Sequence, residues 1–262
     1  MPYKPTVTRA KYAPLQRRLV RLTEDTAKAL RELRKPLVPD RILLAFLGKA
    51  ADTLRGVCAL QSDGLCHEAQ ALARTLFELR LSFDAFAEML AVDVRVACTR
   101  VMDTVMLEKV KQARASDFKG LDLIPGPPTP KDLLETEREI AKRYAPAELK
   151  RLKQYGFTGL NVEQRAKQSG LSNEYNVAYR NFSRNVHSTD FTELLLQEDP
   201  ELISSNLDPY LESRDAVCCE LACISVAGIA VRVNEIAGLR LDRRFRSVWK
   251  AWGEVRRATS AG

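Results

Sequence analysis

The residues best suited to chemistry lie in one short segment, from Arg180 to His187. No Gly or Pro interrupts it, so the sequence predicts a helix. At about 100° per residue, Arg180 and His187 would lie roughly 20° apart around the helix axis and about 10 Å apart along it. Ser183 and Arg184 fall between them on the same side. Arginines beside an imidazole are suited to binding a phosphate group, and His67 is the only other histidine in the chain.

A second polar pair lies about a hundred residues earlier, at Arg74 and Glu78. The two residues are four positions apart and therefore share one face of a predicted helix. Phe77 and Leu81 make the same flank apolar, so the charges must be paired within the protein or serve a site. One interpretation is an ion pair that fixes helix register. The other is that both side chains reach the helix of His187 and complete a polar pocket, and the residues alone leave both open.

Almost every segment of the chain has helical periodicity, and no zone is rich in strand-forming patterns. The predicted helices cover Leu15–Arg34, a segment starting at Pro39-Asp40, about His67–Leu90, Asp93–Ser116, Lys131–Gln154 with an interruption near Pro146, a helix capped by Ser172-Asn173-Glu174, Ser213–Leu239 and Leu239–Arg257. The proline-rich segment 125–130 is predicted to be a loop. The predicted fold class is all-α, an antiparallel helical bundle with additional N- and C-terminal helices.

Two helices are predicted to supply much of the core. The helix of 67–90 has an apolar seam at spacings of three and four, formed by Leu72, Leu76, Leu79, Phe83, Phe86 and Leu90. The helix of 213–239 is the most apolar, with Glu220 inside it and Arg232 near its end. A membrane span needs roughly 20 largely uncharged apolar residues. The internal charge and the many small residues favour a buried helix, so we expect no membrane span.

Positive charge is concentrated at the two ends of the chain. Residues 1–41 carry eleven Lys and Arg against four Asp and Glu, and residues 240–262 carry seven against two. We expect one helical domain over 1–262, with a basic N-terminal extension and helix at 1–41, a helical core at 42–239 and a basic, Trp-containing helix at 240–262. The ends are suited to nucleic acid or to an anionic membrane, and they also fit solvated faces that aid solubility.

The six cysteines have no Cys-x-x-Cys spacing, and only two histidines could assist them in holding a metal. A zinc site and a disulfide framework are therefore not expected, and no other metal or cofactor is expected either. Three of the cysteines lie in the apolar helix of 213–239, where free thiols behave as small hydrophobes. With no evident signal peptide, these features predict a reducing, cytoplasmic location.

Two motifs carry a resemblance to a known family. They are Ala69-x-Ala71-Leu72-x-Arg74-x-x-Phe77-Glu78 and Gly170-Leu171-x-x-x-Tyr175-x-x-x-Tyr179-Arg180-x-x-Ser183-x-x-Val186-His187. In order and spacing they resemble an uncharacterised family of all-helical, mainly bacterial proteins, over about residues 65–190. That family is similar to HEPN-type proteins, whose signature is an Arg, a polar residue and a His, with four to six residues between the Arg and the His. Arg180, Asn181 and His187 lie at the long limit of this spacing.

The HEPN resemblance implies a helical bundle and a metal-independent ribonuclease site, often shared across a homodimer. His187 would then be the general base for an RNA 2′-hydroxyl, and Arg180 and Arg184 would hold the scissile phosphate. Ser183 could orient the imidazole or touch the phosphate. Glu78 could hold the second ring nitrogen or an arginine, with Arg74 beside it.

Under this hypothesis the protein is a metal-independent endoribonuclease, such as a toxin or defence effector with a cognate antitoxin. The alternative is a non-catalytic helical module that binds a nucleotide, RNA or a protein partner through the same pocket. A third hypothesis is a structural protein whose basic ends contact an anionic surface. Fold-level likeness does not decide among them.

Overall fold

The computed structural model describes residues 7–33, 35–115, 129–186 and 208–260, and about 90% of the structure is helical. No described residue lies in a strand, which confirms the prediction of an all-α protein. The helices are α1 (Val7–Leu33), α2 (Val38–Ser62), α3 (Cys66–Val92), α4 (Val94–Ala115), α5 (Pro130–Ala141), α6 (Pro146–Tyr155), α7 (Val162–Gln168), α8 (Ser172–Glu174), a π-helix (Tyr175–Tyr179), α9 (Arg180–Val186), α10 (Asp208–Ala237) and α11 (Asp242–Ser260).

The chain forms two compact units. Unit 1 comprises 1–84 and 166–262, and unit 2 comprises 85–165. The basic terminal helices α1 and α11 both belong to unit 1, where α1 packs against α2, α10 and α11. The prediction of one domain with basic terminal extensions stays a prediction.

The core of unit 1 is built from helices with apolar residues at spacings of three and four, which place them on one face. In α1 the buried face includes Tyr12, Leu15, Leu19, Leu22 and Leu30, and in α2 it includes Leu43, Leu47, Ala50, Leu54 and Val57. The predicted seam of α3 is only partly buried. In the part of α3 that belongs to unit 1, Leu76 and Phe83 are fully buried and Leu72 and Leu79 are half-buried. In the part that belongs to unit 2, Phe86 is fully buried and Leu90 is half-buried.

Buried polar side chains of unit 1 form hydrogen bonds to one another across three helices. The Gln16 amide of α1 donates to the Gln61 side chain of α2 at 3.2 Å, and Gln61 donates to the Cys219 sulfur of α10 at 3.2 Å. All six cysteines are free thiols. Burial raises the pKa of Cys219 to about 12, so this thiol stays protonated at neutral pH and packs as a small hydrophobe.

Helix α10 is the one described helix that is long and apolar enough to cross a membrane by length and composition, over Glu212–Ala237. In its most apolar window, 61% is buried inside the protein. One charged residue of its apolar part is Glu220, whose carboxylate accepts hydrogen bonds from the Tyr12 hydroxyl at 2.8 Å, Trp252 Nε1 at 2.9 Å and Arg256 Nε at 2.8 Å. Glu220 therefore joins α10 to α1 and α11, which explains a carboxylate within an apolar helix.

Helix α1 begins earlier than the sequence predicts. It starts at Val7 rather than at Leu15, and it contains Pro14. The physical reason is a contact distant in sequence. The Glu212 carboxylate accepts hydrogen bonds from the backbone amides of Val7 at 2.6 Å and Thr8 at 2.9 Å, so it caps the first turn.

Unit 2 is formed by the end of α3, by α4, α5 and α6, and by the start of α7. The prolines at 130 and 146 begin α5 and α6, as expected for the first turn of a helix. Its core clusters are Leu107, Ile140 and Leu152, and Val110, Ala113 and Leu133. The buried Asp103 carboxylate of α4 accepts hydrogen bonds from Arg143 at 2.6 Å and from the Tyr144 hydroxyl at 2.9 Å.

Candidate functional site

The segment that carries Arg180 departs from the continuous α-helix that its composition predicts. Ser172–Glu174 form one α-helical turn whose N-cap is Leu171, and Tyr175–Tyr179 then form a π-helix before α9 begins at Arg180. In the π-helical turn the Arg180 amide bonds the Tyr175 carbonyl, five residues back. The extra residue changes the direction of the side chains that precede Arg180. Turns of this kind are frequent at functional sites.

Two side chains of α9 bond backward onto the π-helix. Asn181 Nδ2 donates to the Val177 carbonyl at 2.8 Å, and Ser183 Oγ donates to the Tyr179 carbonyl at 2.8 Å. These bonds add partners to carbonyls of the irregular turn and brace the junction between the π-helix and α9. In this geometry Ser183 is a backbone partner of Tyr179.

Helix α3 meets the π-helix through one carboxylate. Glu78 Oε1 accepts hydrogen bonds from Arg74 Nε at 3.1 Å and from the Tyr179 hydroxyl at 2.9 Å. Arg74 and Glu78 are therefore an i,i+4 ion pair, as their spacing suggests, and the pair also binds the segment 101 residues later in the chain. The ion pair and the contact of its carboxylate with the later segment are therefore both present, whereas a role in fixing helix register and a polar pocket completed with the helix of His187 stay predictions.

Two arginines and two tyrosines lie in successive pairwise contact, a group that we call the Arg–Tyr stack. The Arg74 guanidinium lies 5.0 Å from the centroid of the Tyr179 ring. Tyr179 stacks on Tyr175, with centroids 5.2 Å apart and ring planes 20° apart. The Arg180 guanidinium lies 5.9 Å from the Tyr175 centroid. Both cation–ring distances fall within the range of cation–π attraction.

The Arg–Tyr stack has a buried end and an open end. Tyr179 is only 7% exposed, and the Arg74 and Glu78 side chains are 20% and 35% exposed. Arg180 is exposed, and Tyr175 is half-buried. The Arg180 end of the stack is therefore open to solvent, while Glu78 holds Tyr179 at the other end by its hydrogen bond.

The electrostatics of the buried end keep Tyr179 as a neutral donor. Burial raises its pKa above the usual 10.0, the charge and hydrogen bond of Glu78 raise it further, and Arg74 opposes the shift. At neutral pH the phenol is therefore protonated and donates to the carboxylate. Glu78 thus accepts from both a cation and a neutral hydroxyl.

The family comparison places both halves of this site in one family model. The model described as "Family of unknown function (DUF5677)" matches residues 40–202, which is more than half of the chain. The chain belongs to DUF5677. Comparison with curated proteins and with solved structures gave no match.

Within this DUF5677 chain, the structure brings together three of the six residues that the sequence predicts for the site. Arg74 and Glu78 meet the segment of Arg180 through the two tyrosines, whereas Ser183 bonds the backbone. His187 lies outside the described residues, and so does the side chain of Arg184. Their roles stay predictions.

The residues that sequence reasoning missed as site residues are Tyr175 and Tyr179. Both are part of the family-like motif, and their spacing of four just before Arg180 was a usable signal. Aromatic residues at helical spacing usually indicate core packing. Tyr179 is also part of the core, since it is buried and its ring centroid lies 5.8 Å from that of Phe77.

In the described part of the chain, no group of three or more His, Cys, Asp or Glu side chains is arranged to hold a metal.

Proposed function

We propose that the Arg–Tyr stack is a binding site for single-stranded RNA. The observation that carries this proposal is the contact between the stacked rings of Tyr175 and Tyr179 and the exposed Arg180, whose guanidinium lies near Tyr175. Proteins that hold single strands combine cations along the backbone with aromatic rings on which bases stack. The guanidinium plane serves both purposes, because it forms forked hydrogen bonds to phosphate and stacks on bases.

The buried end of the stack supports this proposal by limiting the freedom of its rings. Tyr179 is fixed by its hydrogen bond to Glu78, and Tyr175 packs on the fixed Tyr179 ring. A base that packs on a ring already held in place loses less free energy to ordering of the protein. A formal net charge of +7 adds a general attraction for a polyanion.

The test of binding is fluorescence anisotropy with a labelled, unstructured RNA oligonucleotide. Arg180→Gln should weaken binding about tenfold, which corresponds to about 1.4 kcal/mol, and should lower the salt slope by about 0.7 for each phosphate that the arginine neutralises. Tyr175→Leu should weaken binding by a similar factor or more, because stacking on one aromatic ring contributes about 1–3 kcal/mol per base.

The matched control is Arg95→Gln, which removes an exposed arginine of unit 2 that has no acidic partner among the described residues. Equal affinities for Arg180→Gln and Arg95→Gln would show that the stack does not bind RNA. Tight binding to double-stranded RNA, with weak binding to single strands, would also count against a stacking site.

A second candidate function is metal-independent cleavage of the bound RNA, with His187 as general base and Arg180 and Arg184 on the phosphate. The observation that favours it is the regular α-helix α9 from Arg180 to Val186, so helical spacing from Arg180 is maintained up to the residue before His187. The arrangement proposed for this activity is a HEPN-like antiparallel bundle that acts as a cytoplasmic homodimer, in the manner of a toxin with an antitoxin partner.

Cleavage is tested with mixed RNA in EDTA, using the wild-type protein beside His187→Ala. The nuclease proposal predicts products with the wild type only, while both proteins bind the oligonucleotide. If both proteins leave the RNA intact, or cut it equally, cleavage by His187 is excluded and the binding proposal stands on its own test.

A further inference from the structure

Helix α11 turns an unpaired cationic face to solvent. Arg243, Arg246, Lys250 and Arg257 are all exposed, and none has an acidic partner within the part of the chain that the structure describes. At 100° per residue these four side chains fall within an arc of about 60° around the helix axis. They therefore form one stripe along the helix, which we call the α11 stripe.

The other cations of α11 have structural partners. Arg244 forms an ion pair with Asp25 of α1, and Arg256 forms one with Glu220 of α10. The apolar face of α11 is also occupied, because Phe245, Val248 and Trp252 are 5–6% exposed. The stripe lies on the side of the helix away from these contacts, so its charge is not used in holding α11 on unit 1.

One aromatic ring accompanies the stripe. Trp249 is 41% exposed and stacks on the buried Trp252, with centroids 5.3 Å apart and planes 29° apart. It lies three residues after Arg246, so the two side chains are neighbours on the helix surface. An exposed tryptophan held by a second ring, beside free cations, has the composition of a single-strand contact surface.

We infer that the α11 stripe and Trp249 form a second contact surface for single-stranded RNA. This inference rests on the proposed function, since it gives the RNA bound at the Arg–Tyr stack another place of contact. Arginines and Lys250 would neutralise phosphates, and Trp249 would accept a base on its open ring face. Glu254 is exposed on the same side of α11 and opposes this attraction.

An anionic bilayer is the competing occupant, and the packing of α11 disfavours it. A helix that lies in a membrane interface buries its apolar face among the lipids. The apolar face of α11 is already buried within unit 1, which leaves Trp249 as the one large apolar side chain that the described part of α11 exposes. Charge attraction without apolar insertion fits a soluble polyanion better than a membrane surface.

The first experiment measures the salt dependence of RNA binding for a charge-removal variant and a matched control. The variant carries Arg243→Gln, Arg246→Gln, Lys250→Gln and Arg257→Gln. The control carries Arg95→Gln, Lys109→Gln, Lys150→Gln and Arg151→Gln, which remove the same charge from exposed positions of unit 2. Direct binding predicts a salt slope lower by up to about 2.8 for the α11 variant, at about 0.7 per neutralised phosphate, and a much smaller change for the control. Equal changes in both would overturn the inference.

The second experiment uses Trp249 as a reporter, with Trp249→Phe to subtract the emission of Trp252. RNA should quench Trp249 fluorescence, and Glu254→Gln should tighten binding. Vesicles of anionic phospholipid should leave the emission wavelength unchanged. A blue shift with vesicles, together with no quenching by RNA, would overturn the inference in favour of a membrane.

The failure of this inference is distinguishable from the failure of the proposed function. If Arg180→Gln weakens binding while the α11 variant matches its control, the stack stands and the α11 surface is wrong. If the α11 variant weakens binding while Arg180→Gln matches Arg95→Gln, the stack is wrong and α11 is the binding surface.

Discussion

At the scale of single residues, Glu78 is the point at which α3 and the π-helix are joined. Its Oε1 accepts from Arg74 on its own helix and from Tyr179 on the later segment. The carboxylate is 35% exposed, so solvent screens the ion pair and its contribution to stability is modest. The main role of the carboxylate is to position the Tyr179 ring, which in turn contacts Tyr175 and Arg74.

The first prediction concerns the hydroxyl of Tyr179. Tyr179→Phe keeps the ring and removes the donor to Glu78, so we expect the free energy of unfolding to fall by about 1 kcal/mol. Urea unfolding measures the change. Tyr155→Phe is the matched control, since that hydroxyl has no hydrogen bond in the described residues. Equal stability of the two variants would show that the Tyr179–Glu78 bond contributes nothing.

At the scale of elements, the contact of Arg80 of α3 with α10 depends on a missing side chain. Arg80 is held by Asp84 at 2.7 Å, and its guanidinium occupies the space where a Cβ at Gly228 would lie. We therefore predict that the effect of Gly228→Ala on stability depends on the residue at position 80. With Arg80→Ala it should stabilise by about 1 kcal/mol through helix propensity, and in the wild type it should be neutral or destabilising because the guanidinium must move.

This second prediction is measured as a double-mutant cycle in urea, with a coupling free energy of about 1 kcal/mol or more expected. Additive effects of the two substitutions would mean that the contact between Arg80 and the Gly228 backbone carries no free energy.

A third prediction follows from the cap on α1. Burial acts to raise the pKa of Glu212, but hydrogen bonds from Thr8 and from the Val7 amide outweigh it and hold the pKa below the usual 4.5. A lowered carboxyl pKa contributes stability that is present above the unfolded-state pKa and lost as the pH falls through the folded-state pKa. Glu212→Gln should therefore lose stability near pH 7 and show a shallower decline below about pH 4.5 than the wild type.

The pH dependence of the urea midpoint tests this prediction. Glu254→Gln is the control, since Glu254 is exposed and has no bonded partner in the described part of the chain. Parallel pH profiles for wild type and Glu212→Gln would contradict the role of Glu212 as a cap.

Sequence periodicity predicted most elements closely, and its failures have physical causes. Helix α3 was expected at 67–90 and spans Cys66–Val92, because its apolar spacing is strong and local. The early start of α1 depends on a carboxylate 205 residues away, which no local pattern contains. The π-helix has no composition signal, so the stacking of Tyr175 on Tyr179 could not be predicted from α-helical angles. The Arg74–Glu78 pair was predictable from spacing, but its bond to Tyr179 was not.

At the scale of the whole molecule, each compact unit has its own buried apolar side chains. Leu47 belongs to unit 1 and is fully buried, and Leu152 belongs to unit 2 and is 1% exposed. A unit with its own core can unfold as a unit. We therefore predict two calorimetric transitions, with Leu47→Ala lowering one midpoint and Leu152→Ala lowering the other, each at a cost of about 2–5 kcal/mol. A single transition lowered by both substitutions would support one cooperative domain instead.

At the scale of the whole molecule, cations occur in many places, so affinity alone does not locate an RNA site. The decisive measurement is therefore a direct map of the residues that contact RNA. An oligonucleotide containing 4-thiouridine is crosslinked to the full chain and the adducts are assigned in tryptic peptides. The Arg–Tyr stack predicts adducts in the peptide of residues 168–180, which contains Tyr175 and Tyr179. Arg180→Gln removes the cleavage site at its end, so in that variant the adducts are counted in residues 168–184, where their yield should be lower. The α11 surface predicts a second adduct in residues 247–250. Adducts confined to other peptides, with none in 168–180, would contradict the account of the stack as an RNA site.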